Sequence, residues 1–167
     1  MNRTNRGHRQ GAPIFLKWFF PFAIVLALLL AVPKNVLMVE EEDKVIDVFL
    51  TADTFSVRWE HSVEKEEWEE YFQKEGSELI LTHTRFKTFG AGVPSHAGKE
   101  TFIKDGWVYM TGIDQSIEDS LFIRTGDETK HRLTVAGQSE KLKENSSYRI
   151  TVKKLNLLKA LLVKLTC

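Results

Sequence analysis

Cysteine is nearly absent from this chain. The only one is Cys167, the last residue, so no disulfide closes within the sequence and no cysteine-based metal site is possible. Proline is scarce as well: after Pro33 only Pro94 interrupts the chain, which leaves long stretches free to form strand ladders. No Gly-x-Ser-x-Gly elbow and no Gly-Lys-Ser/Thr phosphate loop occur, which removes the usual hydrolase and nucleotide signatures. No His-x-His or His-x-x-x-His spacing is present, so neither a metal nor another cofactor is called for.

Charge is balanced in total but not in place. Arg3, Arg6, Arg9 and Lys17 precede any acid, and with those four of the 23 bases at the head, the remainder carries 19 against 23 acids, a net charge of −4. A mildly acidic domain is a poor binder of polyanions, and nucleic acid is not an expected partner.

What the sequence does have is an apolar run, residues 14–32, with one charge near its start. Its 19 residues approach the ~20 that a helix needs to cross a bilayer. Lys17 and Trp18 suit the interface, and the bases before the run place residues 1–13 in the cytoplasm. The expectation is a single-pass cell-membrane protein with a transmembrane anchor at 14–32, which read as a signal peptide would be cleaved near Ala31. In either case residues 33–152 form an extracytoplasmic domain, followed by a Lys/Leu-rich segment at 153–167. In that segment Leu155, Leu158, Leu162 and Leu165 fall on one helical face. It reads as a last strand running into a short helix packed on the domain, or as a basic segment lying on the outer leaflet.

From Val36 onward the pattern has a period of two. Residues 45–50 read as a strand. In 54–63, Phe55, Val57, Trp59, His61 and Val63 share one face, opposite Ser56, Arg58, Glu60 and Ser62. A turn at Lys74-Glu75-Gly76-Ser77 joins the next two strands, and Asp105-Gly106 marks a hairpin. Residues 120–124, 131–135 and 148–152 continue the series. Without βαβ alternation, the expected fold is all-β, a mainly antiparallel β-sandwich or barrel of about eight strands, preceded by one N-terminal transmembrane helix.

The candidate site lies between Trp59 and Pro94, where aromatics, acids, bases and a double-glycine loop are densest. His61 and Ser62 are strand neighbours pointing to opposite faces, so they cannot form a nucleophile–base pair. His61 and His83 are expected inward, among apolar residues. A two-residue turn at Glu75-Gly76 would place Glu66 opposite Arg85, Glu64 opposite Lys87, Trp68 opposite His83 and Phe72 opposite Leu79. Glu64, Glu66, Glu67, Glu69 and Glu70 then form a solvated face. Arg85 is a strut in an exposed ion pair, worth less than ~1 kcal/mol, or a fork for a carboxylate. Gly90 and Gly92 permit a turn that side chains would block. Phe86, Phe89 and Val93, with Pro94 following, fill the core or rim a pocket.

His61-Ser62-Val63-Glu64-Lys65, Trp68-Glu69-Glu70 and Thr84-Arg85-Phe86-Lys87-Thr88-Phe89-Gly90-Ala91-Gly92-Val93-Pro94, with Asp105-Gly106-Trp107 later, resemble the bacterial domain-of-unknown-function family eighteen-fifty. Thr88 stands where the family more commonly has serine. The resemblance covers about residues 45–152 and implies a small exported or membrane-anchored protein, often encoded beside the fused membrane subunit of TAXI-type TRAP solute transporters. It supplies no catalytic residues. The function expected is a membrane-anchored accessory or binding domain of such a transporter, touching its permease or solute-binding subunit, with a carboxylate-bearing solute as a possible ligand. The alternatives are an envelope hydrolase using a histidine and a glutamate, and a purely structural β-domain.

Overall fold

The computed structural model describes residues 14–90 and 97–167, with side chains from residue 18 onward. It begins with helix α1 (Ile14–Ala31), which contains Pro21 and ends two residues before Pro33, whose ring disfavours helical geometry at Val32. Eleven strands follow: β1 (Pro33–Glu41), β2 (Lys44–Phe49), β3 (Thr54–Glu60), β4 (Glu67–Glu75), β5 (Glu78–Phe86), β6 (Glu100–Lys104), β7 (Trp107–Ser116), β8 (Ser120–Arg124), β9 (Arg132–Val135), β10 (Gln138–Lys141) and β11 (Ser147–Asn156). Helix α2 (Leu157–Thr166) closes the chain.

The strands form two sheets, β2-β1-β11-β8 and β10-β9-β3-β4-β5-β7-β6, with antiparallel neighbours throughout the registered pairs. They do not close into a barrel. Leu37, Val39, Ile123 and Ile150 of the smaller sheet meet Phe55, Val57, Phe72, Leu79 and Leu133 of the larger one in a shared core. This is the two-layer solution for antiparallel sheets with one apolar face each.

Three elements depart from the sequence expectation. Strand β1 is central in its sheet, and Val36 to Glu40 are all buried, Leu37 and Val39 in the inter-sheet core and Val36 and Met38 against α2. A strand covered on both faces shows no alternation to read. Strand β10 is exposed along its whole length and carries only polar residues, so it has no apolar signal either. The C-terminal segment does run from a strand into a helix, but Leu155 ends in β11. Ala160 is the residue α2 buries, with Val163 and Leu155 packed beside it; Leu158, Leu162 and Leu165 are exposed.

Helix α1 touches α2 and leaves Trp18, Phe20, Phe22 and Leu28 largely exposed. Its 18 residues give about 27 Å at 1.5 Å per residue, a little short of a hydrocarbon core of about 30 Å. Among the described residues no helix is long and apolar enough to cross a membrane, so the expected span is not supported by the helix that forms.

Candidate functional site

The residues singled out in the sequence are brought to one end of the larger sheet, but to both of its faces. Two local features decide which residue goes where. The β4–β5 turn is Gly76-Ser77, with Glu75 opposite Glu78 and Gly76 at φ +61°, a conformation glycine adopts without strain. Farther along, Phe72 faces Leu81 but Tyr71 faces His83, leaving Thr82 as an extra residue. This bulge reverses the alternation of β5. The expected register is therefore replaced: Glu69 faces Arg85, Trp68 faces Phe86, and Phe72 faces Leu81.

Consequently His83 is not inward. It lies on the outer face, stacked on Tyr71 with centroids 4.1 Å apart, and its Nδ1 is 3.0 Å from Thr82 Oγ1. His61 is not on a strand, because β3 ends at Glu60. It opens a tight turn in which its N–H donates to the Glu66 carbonyl (2.8 Å) and its own carbonyl accepts from Lys65 N–H (2.9 Å). The His61 ring stacks beside Trp68, and the Glu64 N–H reaches its Nδ1 at 3.4 Å. The two histidines lie on opposite sides of the sheet, and neither they nor His131 hydrogen-bonds a carboxylate among the described residues.

On the inner face the motif makes a latch. Trp59 and Trp68 stack across β3 and β4 at 5.7 Å, Trp68 leans on Phe86 at 5.2 Å, and Phe89 meets Phe86 edge-on at 5.2 Å. Phe86, Val108 and Met110 form a second small core here, while Phe89 is 58 % exposed. The Glu64 carboxyl lies against the backbone of Gly90, so that a Cβ there would overlap Cγ, Cδ and Oε1 of Glu64. The bare backbone of Gly90 leaves room for the flexible end of that side chain. Trp68 Nε1 is buried without a hydrogen-bond partner among the described residues. Glu66 is exposed and offers the turn its carbonyl, not its carboxylate, to His61. Gly92 and Pro94, with Val93, lie outside the described residues.

The outer face holds a charged cluster that the sequence did not disclose. Glu69, expected to be solvated, is 6 % exposed. Its Oε2 accepts from Arg85 Nε (2.9 Å) and Nη2 (2.5 Å), and its Oε1 accepts from the Ser56 hydroxyl (2.8 Å). Arg85 Nη1 donates to the Tyr109 hydroxyl at 3.1 Å. Burial is the largest influence on Glu69 and would raise its pKa, but Ser56, Arg85 and Tyr71 together outweigh it and hold the carboxyl below its ordinary 4.5. The Tyr71 phenol is pushed up to about 12, first by burial and then by Glu69. Burial also lowers His83, with Arg85 adding to it and Glu69 opposing. Arg85 lies 4.4 Å from the Trp107 ring centroid, Lys87 4.2 Å and Arg58 5.4 Å, so one indole gathers three cations. Lys87 therefore sits over Trp107 instead of pairing with Glu64, and Arg58 pairs with Glu67.

Beside this cluster an open cleft of about 570 Å³ is lined by Ser56, Tyr71, Gln73, Thr82, His83 and Thr134, among others. Hydroxyls, an amide and an imidazole give it donors and acceptors, with aromatic surface between them. Among the described residues no three metal-ligating side chains converge. The arrangement suits binding. The grouping of Ser56, Glu69, Tyr71, Trp107 and Tyr109 around Arg85 was not read from the sequence, because the Thr82 bulge that turns Arg85 toward Glu69 is invisible there. The signal that was available is the alternation Glu69, Tyr71, Gln73, three polar-tipped residues on one face of β4.

No curated protein and no solved structure matches the chain. The model of the family described as Domain of unknown function (DUF1850) matches residues 55–142, more than half of the sequence and nearly all of the larger sheet, including both the latch and the charged cluster. The chain therefore belongs to the DUF1850 family.

Proposed function

We propose that this chain is an extracytoplasmic binding domain, an accessory to a TRAP-type (TAXI) solute transporter, that receives its partner on the outer face of the larger sheet. The observation that carries the reading is the cluster around Trp107. A sheet face that merely met solvent would not bury a glutamate, fix it with a serine and an arginine, and lay three cations on one indole. Rigid, pre-organised aromatic and guanidinium groups beside an open cleft are the usual composition of a recognition surface. Lys87 gives the face a basic edge, while Arg58 is already paired with Glu67; that edge fits a carboxylate-bearing solute or an acidic patch on the permease or the solute-binding subunit. The transporter association itself rests on the family resemblance. Helix α1, with its exposed aromatic and aliphatic side chains, is the part that engages the membrane and holds the domain at its outer surface.

The test is recovery of transporter subunits with the full chain from detergent-solubilised membranes. Lys87→Glu, which reverses a charge on the rim without touching the Glu69–Arg85 pair, should reduce that recovery several-fold while leaving the melting temperature near that of the parent. If the parent chain recovers no transporter component, the accessory role falls.

A further inference from the structure

Glu70 follows Glu69 directly and points the other way. It shares a row of the inner face with Leu133, Val57 and Thr84, between the two sheets. An open cavity of about 190 Å³ lies there, lined by Val57, Trp59, Glu70, Leu121, Phe122, Ile123, Arg124 and His131. Glu70 makes no hydrogen bond or ion pair among the described residues, although it is only partly exposed. His131 lines the same space. Its Nδ1 lies 2.7 Å from the Thr129 hydroxyl, which accepts from the Gly126 N–H (2.9 Å) and has one proton to share between Nδ1 and the Gly126 carbonyl (3.1 Å).

We propose that this cavity binds the ammonium group of a short aliphatic amine, with Glu70 as counter-ion and the alkyl part against Val57, Leu121 and Ile123. The chemistry follows from what lines the space: a carboxylate set in an apolar wall, with no hydrogen bond or ion pair to it among the described residues. Arg124 also contributes to the lining, but strand alternation puts its exposed side chain with that of Phe122, on the face of β8 away from Leu121 and Ile123. At about 190 Å³ the open space is large enough for a short alkylammonium ion. A carboxyl left without a partner in a half-buried site is a destabilising arrangement, of the kind retained where a ligand completes it. Burial holds Glu70 above its ordinary 4.5, and an arriving ammonium would reverse that. Because the site lies on the face opposite the Arg85 cluster, it stands or falls independently of the proposed transporter role.

The experiment uses the full chain in non-ionic detergent, titrated with n-butylammonium chloride while Trp fluorescence and melting temperature are followed, since Trp59 lines the cavity. The expected result is a saturable response in the millimolar range that 1-butanol and sodium chloride do not reproduce. Glu70→Gln should weaken it by about tenfold or more, and Glu70→Asp, which keeps the charge, by less. The glutamine variant removes an unpaired acid and is expected to fold; the aspartate variant serves if it does not. An equal response to amine and alcohol, undiminished binding by a folded Glu70→Gln, or no saturation in the parent would each overturn the proposal.

Discussion

Glu69 and Glu70 are chemically identical neighbours, and the sheet between them makes them opposites. Glu69 turns to the outer face, where Ser56, Arg85 and Tyr71 surround it, and its proton is held less tightly than in water. Glu70 turns to the inner face, beside Val57 and Thr84, and burial alone holds its proton more tightly. The difference shows that burial does not decide what a carboxylate does; the partners supplied with it do. On one face a charge is fixed in place, and on the other a charge is left for something else to answer.

The largest expected effect comes from breaking the paired side. Glu69→Leu strands the Arg85 guanidinium, whose side chain is 23 % exposed, and should cost about 3 kcal/mol in urea unfolding, as removal of one member of a largely buried pair does. Arg85→Lys should retain the fold but lose partner recovery, because an ammonium cannot hold Glu69 Oε2, Tyr109 and the Trp107 face together. A folded lysine variant that binds its partner normally would reduce Arg85 to a structural role.

A third acid sharpens the contrast. Glu64 lies against the backbone of Gly90, where its side chain occupies the space that a Cβ would need. Gly90→Ala should displace the flexible end of that side chain at a cost of less than about 1 kcal/mol. In a Glu64→Ala background the same substitution should be neutral, and the double-mutant cycle should return that small difference as the coupling. Additive costs would mean that the two residues do not meet.

Glu70→Gln should act in the opposite direction from Glu69→Leu and raise stability by about 1 kcal/mol at neutral pH. The pH dependence separates the two acids. The folded state holds the Glu70 proton more tightly than the unfolded chain, so its contribution is most favourable below 4.5 and declines as pH rises through the interval between 4.5 and its folded pKa. The gain from Glu70→Gln must therefore vanish in acid and appear above that interval. For Glu69 the folded pKa is depressed, so its stabilisation is complete above 4.5 and is lost as pH falls through the folded value. Melting curves of both variants between pH 3 and 8 should diverge in these senses.

How much of this was legible depends on whether local chemistry or pairing set each feature. The Asp105-Gly106 hairpin could be read outright, because both residues need positive φ (51° and 72°) and the dipeptide tolerates it. The alternation of Phe55, Val57 and Trp59 likewise put the correct face of β3 inward. Strand β1 was hidden by being buried on both sides, and β10 by being buried on neither. The face of His83 and the partner of Arg85 depended on a one-residue bulge at Thr82, and such a slip flips every side chain beyond it. Family membership was legible from the motif residues even though their spatial grouping was not: the motif places its charges on one face and its latch on the other.

The smallest effect is expected where an ion pair resembles Glu69–Arg85 in distance but not in setting. Lys99 Nζ and Asp114 Oδ2 are 2.9 Å apart, the same separation as Arg85 Nε from Glu69 Oε2, yet their side chains are 77 % and 57 % exposed. Water screens both charges, and two long side chains lose freedom in meeting, so the attraction and its costs nearly cancel. Substituting both by alanine should leave the melting temperature within experimental error at low and high salt alike. The conformation of Gly98 and Gly112 beside them is set by backbone φ values of +75° and +66°, not by the pair. A clear drop in stability for the double variant, larger at low salt, would show that charge pairing alone carries weight on this fold. In that case the buried outer-face pair would owe less of its strength to Ser56, Tyr109 and the Trp107 face than to charge alone.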